Sequence, residues 1–145
     1  SRSFQAVVSN ALADQVLARS VANAHAAAIA QDAVAEAAAQ ADDPRIVVLD
    51  SRLPWEDAVF DLGLDRVLYV IRPAGKDWTV SAVPPERASF GQRKSLPEAW
   101  GGLRDGELAA VCGVADGTFC HSARFVCGAR SRDGAVAMAR LAADA

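Results

Sequence analysis

The residues best suited to binding a ligand lie in one stretch near the end of the chain, from Gly117 to Arg140. Their order predicts a short apolar strand, a polar loop that holds His121 and Gly128, and a helix that begins at Ser131. A loop that leads into a helix offers unpaired N–H groups at the positive end of the helix dipole, which suits a phosphate or a carboxylate. The alternative is an ordinary corner in which Ser131 only caps the helix. Three arginines in this loop would add charge-assisted donors: Arg124, Arg130 and Arg132.

The size and charge of the chain limit what it can do. Its 145 residues suffice for one domain with a real hydrophobic core. A net charge of −3 argues against a protein that coats nucleic acid over its whole surface, although it leaves room for a local basic site. No apolar run approaches the roughly 20 residues of a membrane helix, so we expect a cytoplasmic protein that has no membrane partner. Because the chain starts at Ser1 rather than Met, we expect a fragment of a longer protein.

The cysteines give no sign of a disulfide framework or a zinc site, because there are three of them and none are in CxxC spacing. Reduced, partly buried thiols are therefore expected. A thiol enzyme that pairs Cys120 or Cys127 with His121 is a weak alternative. Cys120 and His121 are neighbours on a predicted strand and should point to opposite faces.

Residues 1–43 are predicted to form an alanine-rich linker helix or helices, in which apolar side chains recur close to every 3.6 residues. One unbroken helix would be roughly 60 Å long, so we expect a break or bend near Asn23–Gln31. His25 is expected to be a surface or packing residue rather than a ligand. An exposed apolar stripe usually finds a partner, and we expect a homodimer through residues 4–30.

Residues 44–145 are predicted to form an α/β domain. A buried strand at 45–50 is followed by an antiparallel hairpin of strands 66–72 and 78–83, and a fourth strand lies at 118–121. Helices are predicted at about 54–62, 105–112 and 131–142. The expected fold is a small mixed sheet of about four strands with flanking helices and the long N-terminal helix.

Several blocks of residues in the body of the chain resemble a known family. The blocks are Val48-Leu49-Asp50 with Pro54-Trp55; Trp78-Thr-Val-Ser-Ala-Val-Pro84; Phe90 with Arg93-Lys94; Leu96-Pro97-Glu98-Ala99-Trp100; Gly102-Leu103-Arg104-Asp105; and His121-Ser122-Ala123 with Phe125, Gly128, Arg132 and Gly134-Ala135. In this order they resemble the C-terminal half of the melanocyte-proliferating-gene protein family, a branch of the DHH phosphoesterase superfamily whose eukaryotic members act as RNA exonucleases. The resemblance covers about residues 46–140.

The resemblance implies that this chain is the substrate-binding part of a metal-dependent phosphoesterase or exonuclease. It implies a DHH-type C-terminal domain that closes on a His- and Asp-rich half, where a divalent metal, expected to be manganese, is held. No metal site or catalytic residue is expected in the chain itself. The ligand is expected to be a phosphate or the end of an RNA or DNA strand. The residues expected to bind it are His121, Ser122, Arg124, Gly128 and Arg132, with Arg93 and Lys94 steering nucleic acid.

Two departures from the family pattern affect the expected loop. Arg124 stands where the family usually has glycine, and Cys127-Gly128 stands where it has a Gly-Gly pair. If those glycines let a phosphate approach the backbone, the two side chains narrow that approach or replace it with their own contacts. Two alternatives to a binding role are left open. In the first, His121 is a structural residue at a strand end. In the second, the whole chain is a non-catalytic interaction or dimerisation module.

Overall fold

A computed structural model describes the chain from Arg2 to Ala145, with side chains described from Ala11 onward. The fold is α/β, as predicted, with a mixed sheet in the order β1-β2-β3-β5-β4. The elements are α1 (Arg2–Gln40), β1 (Ile46–Val48), α2 (Glu56–Asp61), β2 (Tyr69–Ala74), β3 (Asp77–Ala82), α3 (Asp105–Cys112), β4 (Gly117–Cys120), β5 (Val126–Ala129) and α4 (Arg132–Asp144), with one 3-10 turn at Glu98–Trp100.

The predicted antiparallel hairpin is confirmed as β2 and β3. The two strands pair from Tyr69 opposite Ala82 to Ala74 opposite Asp77, and a two-residue turn joins them. Gly75 opens that turn with a φ of +62°, a left-handed conformation that glycine adopts without strain. β1 pairs parallel with the other edge of β2, so the sheet is mixed.

The predicted count of about four strands is one too low. Residues 126–129 form β5 in the middle of the sheet, between β3 and β4. These residues were predicted to lie in a polar loop before the last helix, and that prediction is wrong. Gly128 hid the strand, because glycine lowers strand propensity. The real loop is shorter and connects β4 to β5 at residues 121–125.

The long first helix is continuous, so the predicted break near Asn23–Gln31 is wrong. α1 runs for 39 residues, since alanine has the highest helix propensity and the segment contains neither glycine nor proline. Only its last part meets the body, where Ala30 and Val34 are buried. Side chains 11–29 are exposed, which leaves much of the helix unsupported by the sheet.

Two hydrophobic clusters hold the sheet, one on each face. The first packs α4 and α3 against one face and includes Tyr69, Ile71, Val80, Leu108, Cys127 and Met138. The second packs α1 and α2 against the other face and includes Val34, Val47, Trp55, Val59 and Val70. The second cluster reaches β1, β2 and the residue after β3, and it contains no residue of β4 or β5. The part of the second face that β4 and β5 form is therefore not covered by this cluster.

Candidate functional site

The candidate site is the loop His121–Phe125, which turns the chain from β4 into β5. The loop is closed by two backbone hydrogen bonds. The amide of His121 donates to the carbonyl of Val126 at 3.0 Å, and the amide of Arg124 donates to the carbonyl of His121 at 2.8 Å. These two bonds hold the loop in a closed turn.

A second segment, Leu96–Gly102, supports this loop from the side. The amide of Leu96 donates to the carbonyl of Arg124 at 3.0 Å, and the amide of Gly102 donates to the carbonyl of Cys120 at 2.9 Å. A Cβ added at Gly101 would lie 3.3 Å from Cγ of Arg124, so glycine lets the two segments approach closely. These contacts hold the segment Leu96–Gly102 next to the His121–Phe125 loop.

The His121 ring is exposed and has a defined tautomer. Its Nδ1 accepts a hydrogen bond from the amide of Ala123 at 3.0 Å, so the neutral ring carries its proton on Nε2. The ring packs on Phe125 with centroids 4.7 Å apart. Among residues 11–145 no group bonds to Nε2. The Nε2–H is therefore a positioned donor that faces no protein acceptor.

Two further donors of the loop have no partner in the described part of the chain. Ser122 is exposed, and its hydroxyl makes no hydrogen bond to any residue from Ala11 onward. The guanidinium of Arg124 is half-buried and forms no ion pair within the same residues. Together with Nε2–H of His121, they give the loop two neutral donors and one charged donor.

The backbone of Arg124 explains the glycine that the family pattern has at this position. Arg124 has a φ of +60°, in the left-handed region where a side chain costs about 1–2 kcal/mol. A glycine suits this turn on conformational grounds alone. The arginine keeps the same turn and lays the aliphatic part of its side chain on Gly101, so the departure adds a cation without opening the loop.

Gly128 lies outside the loop, buried inside β5. It pairs with Thr79 on one side and Phe119 on the other. A Cβ at this position would lie 2.6 Å from Cε1 of Phe119 and 2.8 Å from Oγ1 of Thr118. The absence of a side chain therefore serves packing, because the Phe119 ring rests where a Cβ would be.

The start of α4 is capped by the chain itself. Ser131 is the N-cap, as predicted, and its hydroxyl accepts from the amide of Gly134 at 3.0 Å. The carboxylate of Asp116 accepts from the amide of Ser131 at 3.1 Å and from the hydroxyl of Ser131. A Cβ at Gly134 would overlap that carboxylate. The negative group at this helix end is thus Asp116, where the sequence led us to expect a ligand.

Arg132 and His121 lie at opposite ends of the β4–β5 hairpin. The four-residue strands between them are roughly 13 Å long. Arg132 lines a separate cavity of about 330 Å³ beside the end of β1, together with Asp50 and Arg140. The structure therefore brings His121, Ser122 and Arg124 together and leaves Gly128 and Arg132 elsewhere.

Arg93 and Lys94 both bond to backbone carbonyls. Nη1 of Arg93 donates to the carbonyls of Leu64 at 2.7 Å and Val67 at 2.8 Å. Its guanidinium also lies 5.3 Å from the centre of the Phe60 ring. Nζ of Lys94 donates to a carbonyl in the last turn of α4 at 2.8 Å, where a cation also favours the helix dipole. Both side chains hold the fold together.

The cysteines are free and buried. Cys120 and Cys127 face each other across β4 and β5. Burial raises the pKa of Cys120 to about 11, and burial also raises the pKa of Cys127 well above its usual range. The side chain of Cys120 joins the core while that of His121 is exposed. A thiol nucleophile needs an accessible thiolate, which this arrangement does not provide.

No set of three or more His, Cys, Asp or Glu side chains placed to hold a metal ion occurs in the described part of the chain. Within the same part, no helix has the length and apolar character that crossing a bilayer requires.

Asp116, which contacts the start of α4, was not identified from the sequence. Its partner Ser131 lies 15 positions along the chain, too far for a local capping pattern to reveal it. One signal was present. Gly134 stands in the first turn of a helix, where glycine is a poor helix former and indicates a close approach by another group.

Comparison with known proteins gives a consistent relationship. A family model for MYG1 exonuclease, described as an uncharacterised protein family (UPF0160), matches residues 2–143. A MYG1 protein of Schizosaccharomyces pombe is 38% identical over 114 residues, which cover 75% of this chain and 35% of the relative. A MYG1 protein of Caenorhabditis elegans is 35% identical over 108 residues, 68% of this chain and 32% of the relative. The human protein named MYG1 exonuclease is 40% identical over 94 residues, 60% of this chain and 25% of the relative.

No solved structure matches the chain. The matched region spans between 25% and 35% of the length of these three relatives. The matched region is thus a minor part of each relative.

Proposed function

The chain belongs to the MYG1 exonuclease family, and from that premise we propose that it is the substrate-binding C-terminal part of a metal-dependent exonuclease of the DHH phosphoesterase type. In this proposal residues 44–145 bind a phosphate or the end of an RNA or DNA strand. Residues 1–43 link this domain to the rest of the protein. The observation that carries the proposal is the His121–Phe125 loop, whose backbone is fixed by the protein while three of its side-chain donors remain free.

The three donors suit a terminal phosphate. A phosphate monoester accepts hydrogen bonds at several oxygens, and Nε2–H of His121 and the hydroxyl of Ser122 donate without adding charge. The guanidinium of Arg124 supplies the one cation and a charge-assisted bond. Phe125 is 43% exposed beside the His121 ring. A base next to the bound phosphate would stack on these rings.

Hydrolysis is assigned to the larger part of the relatives that this chain does not span. A divalent ion held there, expected to be manganese, would supply an activated hydroxide. The residues of this chain would hold the strand end in place for that reaction. The isolated chain is accordingly expected to bind the ligand without cleaving it.

Calorimetry with adenosine monophosphate tests the loop directly. Arg124→Gly removes the cation while relieving the left-handed backbone, so any loss of affinity reports binding rather than misfolding. Loss of a charge-assisted hydrogen bond is expected to weaken binding by about 1.5–3 kcal/mol. His121→Ala and Ser122→Ala should each weaken it less. Arg132→Ala is the matched control, since this exposed arginine lies at the far end of the hairpin.

The control decides between the two ends of the hairpin. Equal affinity of the parent chain and Arg132→Ala, with weaker binding by Arg124→Gly, supports the loop. If Arg132→Ala abolishes binding while the loop variants bind normally, the phosphate binds elsewhere. If the parent chain binds no phosphate compound at low salt, the loop is a structural turn.

A second candidate function, self-association, is favoured by α1. Between Ala11 and Gln40, five large apolar side chains are exposed on it: Leu12, Val16, Leu17, Val21 and Ile29. A helix in water is stabilised chiefly by packing of its apolar side chains, which the sheet does not provide here. These side chains are spread around the helix, so the single apolar stripe expected from the sequence is not present among residues 11–40. Two copies of the chain could still cover part of this apolar surface by an isologous contact. The expected dimer segment, residues 4–30, includes side chains 4–10, which lie outside the described residues.

Sedimentation tests this association. The parent chain is expected to sediment as a dimer, and Val16→Glu as a monomer because it places a charge among the exposed apolar side chains of α1. Gln15→Glu is the control for added charge at a polar position. A monomeric parent chain at high concentration would refute the dimer and leave the loop proposal untouched.

A further inference from the structure

A shallow groove of about 610 Å³ lies at the end of the sheet opposite the His121–Phe125 loop. Its floor is formed by Thr79, Thr118 and Phe119, and its cations are Lys76, Arg104 and Arg130. We call these six residues the basic groove. It was not singled out by the sequence, because its cations come from three separate segments of the chain.

The floor of the basic groove belongs to the open face of the sheet. Val80 packs into the α4 cluster, so its neighbour Thr79 lies on the other face. Phe119 shares that face, because both residues pair with Gly128. Phe119 belongs to neither hydrophobic cluster and is half-buried. One edge of its ring rests on Gly128, and the remainder is accessible from the groove.

The three cations are exposed and uncommitted within residues 11–145. None of their side chains forms a hydrogen bond or an ion pair with another residue of that range. Five other cations within residues 11–145 are occupied: Arg45 and Arg87 by carboxylates, and Arg72, Arg93 and Lys94 by carbonyls.

Two acids also line the groove, Asp77 and Asp105. Three cations against these two acids leave one net positive charge, in a chain whose net charge is −3. The local sign is thus opposite to that of the whole protein, and the acids do not neutralise the cations by direct pairing.

We propose that the basic groove binds a single-stranded segment of nucleic acid, with one base stacked on Phe119 and backbone phosphates on Lys76, Arg104 and Arg130. Free cations around an exposed ring on a sheet are the features that bind single strands without sequence preference. The ligand class rests on the proposed function, in which the loop holds the strand end. The groove lies at the other end of the same hairpin and would hold nucleotides further along the strand.

The test compares a long ligand with a short one. An octanucleotide of oligoadenylate that carries a terminal phosphate can reach both sites, whereas adenosine monophosphate occupies only the loop. The double variant Arg104→Ala/Arg130→Ala is expected to bind the octanucleotide at least roughly tenfold more weakly and to bind the monophosphate normally. For this double variant, the slope of log affinity against log salt concentration should be smaller in magnitude by about two, one for each lost phosphate contact.

Phe119 is tested by a matched pair. Phe119→Tyr keeps a ring and is expected to keep octanucleotide affinity, whereas Phe119→Leu keeps an apolar side chain without a ring and is expected to lose roughly tenfold. The arginine variants lie on the surface, so they decide the question even if Phe119→Leu fails to fold. Arg132→Ala is the control for general loss of charge.

The outcomes separate the groove from the loop. His121→Ala should weaken the binding of both ligands, and that result tests only the proposed function. The groove proposal is overturned if the double arginine variant binds the octanucleotide as tightly as the parent, or no more weakly than Arg132→Ala. It is also overturned if the parent binds the octanucleotide no more tightly than the monophosphate. If the groove instead receives another part of the protein, the double arginine variant would bind the octanucleotide as tightly as the parent.

Discussion

The two ends of the β4–β5 hairpin carry similar polar residues, but only at the start of α4 does an acid of the protein occupy the position expected for an anion. At the loop, the side chains of His121, Ser122 and Arg124 make no bond to an acid among the described residues. At the start of α4, the carboxylate of Asp116 already accepts from Ser131. The helix N-terminus at α4 attracts an anion, and the comparison teaches that the protein itself can supply that anion.

Gly128→Ala should have the largest effect on this hairpin. The added Cβ would lie 2.6 Å from the Phe119 ring in the middle of the sheet. Overpacking of this kind should lower the free energy of unfolding by about 1–3 kcal/mol, measured by chemical denaturation. Gly106→Ala is a useful comparison, since no atom lies within 4 Å of its added Cβ. Equal effects of the two substitutions would mean that Phe119 does not rest on β5.

Asp116→Ala should convert the capped end of the hairpin into an open one. Loss of the bonds to Ser131 is expected to lower the free energy of unfolding by about 1–2 kcal/mol. The vacated helix end should then respond to phosphate, which should raise the melting temperature of the variant more than that of the parent. Asp133→Ala, in the same helical turn, should not create this response. A variant no more sensitive to phosphate than the parent would contradict the role given to Asp116.

Arg124→Gly should stabilise the loop while it weakens ligand binding. Relief of the positive φ is expected to raise the free energy of unfolding by about 0.5–1 kcal/mol, after the entropy of glycine is counted. Thermal denaturation measures this gain. A loss of stability would show that the stem of Arg124 on Gly101 contributes more than the backbone strain costs.

A smaller effect is expected from substitution of Asp43, whose carboxylate is paired with Arg45. A hydrogen bond from Arg45 lowers the pKa of Asp43 to about 2, compared with 3.8 for an unperturbed carboxyl. The stabilisation is therefore present above about pH 4 and is lost as the pH falls toward 2. Asp43→Asn should melt a few degrees below the parent at pH 7, and this gap should shrink between pH 4 and pH 2. A gap that stays constant with pH would show that charge is not its cause.

Much of the fold could be predicted from local patterns. The β-branched strand at Ile46–Val48 and the β2–β3 hairpin depend on residues close in sequence, and the structure confirms both. The fifth strand was missed because the role of Gly128 becomes clear only when Phe119 lies on it. The continuity of α1 was missed because helix length was judged by the size of the domain, whereas alanine propensity determined it.

The candidate site could be predicted only in part, because several side chains have distant partners. Local sequence identified His121, Ser122 and Arg124 as polar residues at a strand end, and the structure keeps them together. The partners of Arg93 lie 26 and 29 positions away, and those of Lys94 lie 49 and 51 positions away. No local pattern shows that a basic side chain will be used by a distant carbonyl. Charge alone therefore could not reveal the structural role of Arg93 and Lys94.

The central claim is that the phosphate binds at the His121–Phe125 loop rather than at the start of α4. The most direct measurement is a titration of the isotopically labelled chain with adenosine monophosphate, followed by backbone amide NMR shifts. The account predicts saturable shifts at residues 121–125 and in the supporting segment 96–102, with little change at 131–135. Shifts concentrated at 131–135, or none at the loop when the ligand is saturating, would contradict it.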